Sequence, residues 1–153
     1  LGGAVALLHT ANDERIAKCA TWAAISSFDR YIDLAPEKEW LEKGVIYVKN
    51  SRTNQEMPLN ISFLLDLKHH AGKLNVLEQI EELQQDLLIV HGTNDQTVLP
   101  KEADALYHAV QHAIKVDIDG ADHTFNVKHP LTEKKIPIAF AQAIDETIEF
   151  FHM

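Results

Sequence analysis

Cysteine is nearly absent. Cys19 is the single one in 153 residues, so no internal disulfide can form, and the chain suits a reducing compartment, read here as cytoplasmic. Basic residues are few as well. Fourteen Lys and Arg against 23 Asp and Glu leave a net charge of −9, which opposes a general nucleic-acid binder, because such proteins need clustered cations to displace phosphate counterions. The same deficit opposes adhesion to an anionic membrane surface. No apolar run approaches the roughly 18 residues of a membrane-spanning helix. Repeats, low-complexity tracts and Ser/Gly linkers are missing, so no internal domain boundary is expected. An initiator Met is missing too. The opening Leu1-Gly2-Gly3-Ala4-Val5-Ala6-Leu7-Leu8 has no basic n-region and resembles neither a signal nor a transit peptide. The expectation is a piece of a longer protein, entered inside a structural element.

What is there is globular: 46% hydrophobic and 24% charged. A compact monomer of this size keeps roughly 7,800 Å² of accessible surface against roughly 25,000 Å² for the extended chain, enough burial for one domain. Ala4 to Ala11 is rich in Ala and Leu and favours helix. Ile16 to Ile25 is largely apolar and suits a strand buried on both faces. Pro36 to Leu41 starts a short helix that Gly44 ends. Val45–Lys49 and Glu56–Leu59 flank a polar turn, Asn50 to Gln55, and read as a hairpin with Pro58 at an edge. Helical spacing continues over Ser62–His69 and Asn75–Leu83, with Asn75 as N-cap. Asp86–Gly92 reads as a core strand, Pro100–His112 as a helix, Ile114–Ile118 as a strand nearer the sheet edge, and Ile138–Phe151 as the last helix. Strands alternating with helices give an α/β fold, a parallel sheet flanked by helices, with a small helix–hairpin–helix insertion at approximately 27–84. Three sheet strands are few for such a fold, which again suggests the second half of something larger.

Two segments carry chemistry. The first is His91-Gly92-Thr93-Asn94-Asp95-Gln96-Thr97-Val98, at the end of a core strand. Functional groups of open parallel sheets sit just beyond the carboxyl ends of strands. There Asp95 can fix the tautomer of an imidazole and stabilise its charged form, or it can simply support a turn. The second is Gly120-Ala121-Asp122-His123-Thr124-Phe125, beyond the next strand. His123 is either a general base or a loop histidine facing water, one of nine histidines. The two segments come after successive strands, and a right-handed crossover places their ends on one edge. Their joint occurrence favours an Asp95–His123 pair.

Together these runs resemble the acid and base segments of the α/β-hydrolase superfamily, most of all the dienelactone-hydrolase and prolyl-oligopeptidase-like serine esterases. Leu1-Gly2-Gly3 is similar to the residues just after the nucleophile in that family's Gly-x-Ser-x-Gly-Gly elbow. The resemblance implies a C-terminal part of the fold, beginning just after a Ser that would stand immediately before Leu1. It also implies the Leu1 backbone N–H as an oxyanion-hole donor, Asp95 as acid and His123 as base. No serine in the chain substitutes: Ser26, Ser27, Ser51 and Ser62 lack an elbow context, and Cys19 lies in a strand expected to be buried.

Other candidates are weaker. His108 and His112 lie four apart on an expected helix and could share a metal, though two ligands make a poor site and neither a metal nor a cofactor is expected. His69 and His70 point in different directions and read as surface. Trp22 either lines a pocket above the sheet or fills the core. Trp40, Tyr47, Met57 and Phe63 belong to the insertion and either shape a pocket for acyl or leaving groups or form a small core of their own. The functional expectation is a carboxylic-ester hydrolase acting on a small ester or short peptide. The alternatives are a peptidase or amidase of the same fold, a non-catalytic binding or assembly module, and a metal-binding histidine surface. The expected partner is the N-terminal half of the fold, without which the Ile16–Ile25 edge would drive self-association, as a homo-oligomer or an aggregate.

Overall fold

The computed structural model of the chain describes residues 1–50, 54–128, 130 and 135–153. Ser51 and the middle of the expected hairpin turn lie outside the described residues. The chain divides into two compact units, Leu1–Ser26 with Val76–Met153, and Ser27–Asn75.

The first unit is a three-stranded parallel sheet with helices on both faces. Its strands are β1 (Lys18–Trp22), β4 (Asp86–Gly92) and β5 (Ile114–Ile118), in the order β1-β4-β5. Trp22 stands beside Val90 and Gly92 beside Ile118, so all three strands end near one edge. β4 is central, and Leu87 to Gly92 are buried throughout, as a short run of Leu, Ile and Val sandwiched between two helix layers should be. One layer holds α1 (Gly2–Ala11), α5 (Val76–Ile80) and α6 (Pro100–Ala109); α7 (Ile138–His152) covers the other face. Leu88, Val90, Ile118, Phe125, Ala143 and Phe150 form the core under α7. Gly3 lets α1 lie close to the chain after β1, for a Cβ there would stand 2.6 Å from that of Ala24.

Several boundaries differ from those the sequence suggests. β1 is five residues long, not ten, and its burial alternates, because it is the outer strand of the described sheet. The run Ala23-Ala24-Ile25 is apolar because it is buried in the loop beyond the strand, where Ala23 turns to φ 48°. α6 stops at Ala109, since Val110 turns extended and inserts its side chain into the core. His108 and His112 therefore do not share a helix face. His112 Nε2 instead meets the Gln85 carbonyl at 3.0 Å. Asn75 does precede a helix, but α5 ends at Ile80 and packs against α1, so the first unit resumes at Val76.

The second unit contains α2 (Asp29–Ile32), α3 (Glu37–Lys43), the antiparallel hairpin β2 (Val45–Lys49) and β3 (Glu56–Asn60), and α4 (Ile61–His69). Asn60 caps α4 by accepting the Ser62 N–H at 3.0 Å. Its core is Trp40, Ile46 and Leu64. α2, a single turn, has no apolar periodicity long enough to read in advance.

Candidate active site

Asp95 and His123 are brought together at the carboxyl edge of the sheet. β4 ends at Gly92, and the chain turns at once, with the Asp95 N–H donating to the Gly92 carbonyl at 3.2 Å. The Asp95 carboxylate is wholly buried. Its Oδ1 accepts the N–H groups of Thr97 and Val98, each at 2.8 Å. Its Oδ2 lies 2.8 Å from His123 Nδ1. A carboxylate is an acceptor, so Nδ1 carries a hydrogen, and in the neutral ring Nε2 is the nitrogen with the free lone pair. The His123 side chain keeps 34% of its surface exposed, so one nitrogen is tied inward while the ring still reaches solvent.

The two loops meet because Gly92 permits it. A Cβ at Gly92 would run into the backbone of Ala121, whose carbonyl carbon lies 2.8 Å from that point. Across this approach the Thr93 N–H donates to the Ile118 carbonyl and the Asn94 N–H to the Ala121 carbonyl, both at 3.0 Å. Thr93 Oγ1 accepts the Gly120 N–H at 2.8 Å.

The loop that presents His123 is strained and tied down. Phe125 and Asn126 adopt φ of 53° and 65°, a region ordinary side chains enter at a cost of about 1–3 kcal/mol. The buried Phe125 ring is held edge-on by Trp22, with centroids 5.3 Å apart. Asp122 gathers the turn: its Oδ1 accepts the Thr124 N–H, the Thr124 hydroxyl and the Asn126 N–H, at 2.8, 2.9 and 2.8 Å. Partial desolvation would raise the Asp122 carboxyl, but these hydrogen bonds and the neighbouring His123 outweigh it and hold the group below its ordinary 3.8. A depressed carboxylate contributes stability above its ordinary value and loses it as pH falls through the folded one. Asp122→Ala should therefore lower the protection factors of the Thr124 and Asn126 amides against hydrogen exchange, and acidification below pH ~4 should lower those of the unsubstituted loop, each taken relative to the intrinsic rate at that pH. Exchange indifferent to both would mean Asp122 does not organise this turn.

A cavity of about 470 Å³ opens beside His123, lined by Leu1, Gly2, Trp22, Ala23, Phe125 and Phe140 among others. Trp22 is fixed there by its Nε1–H, which donates to Thr147 Oγ1 at 2.8 Å, and by edge-to-face contact with Phe140 at 5.6 Å. Trp22 thus both packs in the core under α7 and faces the cavity. Trp40 and Phe63 belong to the second unit. Trp40 is wholly buried in the core of the second unit, too deep to meet a ligand, and Phe63 packs against the same cluster, edge-on to Tyr31 at 5.6 Å. Tyr47 and Met57 are exposed on the hairpin of that unit.

Among the described residues no group of three or more His, Cys, Asp or Glu side chains is arranged to hold a metal ion. No helix among them is long and apolar enough to cross a membrane. Burial pushes the Cys19 thiol up, against a lowering hydrogen bond with Thr10, which suits an inert core residue. Ser26 is buried, and its hydroxyl donates to Glu102 Oε2 at 2.6 Å. His91 is the neighbour that the pattern of the sequence did not single out: it is fully buried, with Nε2 3.4 Å from Asp95 Oδ2. Its four-residue separation from Asp95 at a strand end is the signal that could have found it.

No family model matches the chain, and no curated protein matches it either. Solved structures do. An esterase domain from Rhodothermus marinus is similar over 97% of this chain, with 19% identity and a TM-score of 0.60. Est1E from Butyrivibrio proteoclasticus is similar over 99%, with 15% identity and a TM-score of 0.60. MGS-MChE2, an alpha/beta hydrolase enzyme from the metagenome of sediments from the lagoon of Mar Chica, Morocco, is similar over 100%, with 18% identity and a TM-score of 0.59. The chain spans 57%, 58% and 59% of the length of these three. At such identities the likeness is one of fold, and it agrees with the parallel sheet and helix layers described above. The chain therefore shares the fold of these hydrolase structures over a little more than half of their length.

Proposed function

We propose that this chain carries the acid and base of a serine hydrolase acting on carboxylic esters, with the nucleophilic Ser immediately before Leu1. The observation that carries the reading is the Asp95 Oδ2–His123 Nδ1 hydrogen bond of 2.8 Å, at a sheet edge where His123 and Leu1 line one cavity. The likeness in fold to the esterase domain from Rhodothermus marinus supports the ester over the amide.

In this mechanism the serine Oγ forms a bond to the ester carbonyl carbon while His123 Nε2 takes the Oγ proton. The resulting imidazolium is stabilised by the Asp95 carboxylate, which two backbone N–H groups hold in place. The carbonyl oxygen becomes an oxyanion facing the Leu1 N–H at the start of α1, a donor of a kind worth roughly 3–4 kcal/mol in the transition state. Collapse breaks the ester C–O bond, and the alcohol leaves with the proton from His123. Water then repeats the sequence on the acyl-enzyme, releasing the acid and regenerating serine. The cavity walled by Trp22 and Phe140 would take an apolar part of the substrate, and the outer edge of β1 would pair with strands preceding the serine. The test is p-nitrophenyl ester hydrolysis by the protein that contains this chain behind its native upstream sequence. A burst of about one equivalent of p-nitrophenol per protein is the expected result. A protein that shows neither burst nor turnover, with any acyl length, contradicts the reading.

A further inference from the structure

His91 lies beside the pair yet has no part in the steps above. Its ring is wholly buried at the end of β4. Nε2 lies 2.8 Å from the Val98 carbonyl and 3.4 Å from Asp95 Oδ2. Both neighbours are acceptors, so Nε2 carries the ring hydrogen. Nδ1 is buried and meets no hydrogen-bond partner among the described residues, so nothing there could receive a second one. Val98 is bound at both ends: its carbonyl accepts from His91, and its N–H donates to Asp95 Oδ1. The circuit His91–Val98–Asp95 thereby fastens the 95–98 turn back onto the strand that precedes it.

We propose that His91 is a positioning residue for the Asp95–His123 pair. Its Nε2–H ties the turn to the end of β4 and so fixes the carboxylate with Oδ2 toward His123. An apolar side chain of similar size would fill the same space without the donation, leaving the Val98 carbonyl without that partner. The inference draws on the hydrolase reading only for its activity arm; its geometric arm stands apart.

The experiment compares His91→Met with His91→Gln in the full-length protein that contains this chain. The two side chains have similar length, but only Gln offers an N–H near the position of Nε2. Proton NMR reads the His123 Nδ1–H, which a short bond to a carboxylate moves far downfield of the amide envelope. H91M should lose or shift that resonance, and kcat should fall about 10²-fold with KM little changed, the penalty of roughly 1 Å of misplacement. H91Q should keep the resonance and most of kcat. An H91M protein with native resonance and kcat overturns the inference, and so do equal losses in both variants. If H91M does not fold, H91Q decides alone: a retained resonance supports the role and a lost one refutes it. An unsubstituted protein that shows the resonance but hydrolyses no ester sinks the hydrolase reading instead, and the resonance of the two variants still judges His91.

Discussion

Replacing His123 with Ala is expected to lower kcat for ester hydrolysis by about 10⁴- to 10⁶-fold while leaving KM within about a factor of three, because the base acts in the transition state and not in ground-state binding. The partner substitution is more informative. Asp95→Asn keeps Oδ1, which accepts from Thr97 and Val98, so the turn should survive. At the Oδ2 position, however, the amide NH₂ would face the Nδ1–H of His123, donor against donor. The imidazole escapes by moving its hydrogen to Nε2, where it can no longer take a proton from serine. A loss of about 10⁴-fold is expected, with thermal stability much less affected. Steady-state kinetics beside a melting curve checks both halves. If D95N keeps a tenth or more of the turnover, the carboxylate is a turn-former only.

Gly92→Ala should be the most damaging single-methyl change near the site. The added Cβ would strike backbone, the carbonyl of Ala121, and backbone cannot rotate aside as a side chain can. Overpacking costs about 1–3 kcal/mol even where side chains can adjust, so a loss of at least about 3 kcal/mol is expected here. The same displacement would part the Asn94–Ala121 and Thr93–Ile118 hydrogen bonds and open the Asp95–His123 distance. Activity should then fall further than stability alone explains. Gly72→Ala is the control: nothing lies within 4 Å of its Cβ position, and its cost should stay within about 0.5 kcal/mol. Urea unfolding of both variants decides the point, and equal effects would mean that the loop contact is not what Gly92 protects.

The parts of the fold that were legible are those where local chemistry and burial agree. β4 is central and runs Leu-Leu-Ile-Val through the buried sheet, and α6 opens on Pro100 directly after an extended residue, Leu99. The lower legibility of β1 has a physical cause: Ala23 to Ile25 are as apolar as a strand but are buried in a loop, and composition does not separate the two. Asp95 was readable as either turn former or imidazole partner, and the structure gives one oxygen to each task. His91 was not singled out because the sequence places it in a core strand and does not show which of its ring nitrogens meets a partner. Its relation to Asp95 depends on how tightly the chain turns after Gly92. Trp40, which read equally as pocket wall or as part of a small core in the insertion, is buried in that core.

The central claim is that Asp95 and His123 serve a serine that directly precedes Leu1. Fluorophosphonate labelling of the protein that contains this chain, with mass spectrometry of the peptide that spans Leu1, tests it most directly. One label is expected, on a serine immediately before Leu1, strongly reduced in His123→Ala, and none on the 153-residue chain by itself. A label on Ser26, Ser27, Ser51 or Ser62, or an unlabelled protein whose residue before Leu1 is not serine, would contradict it.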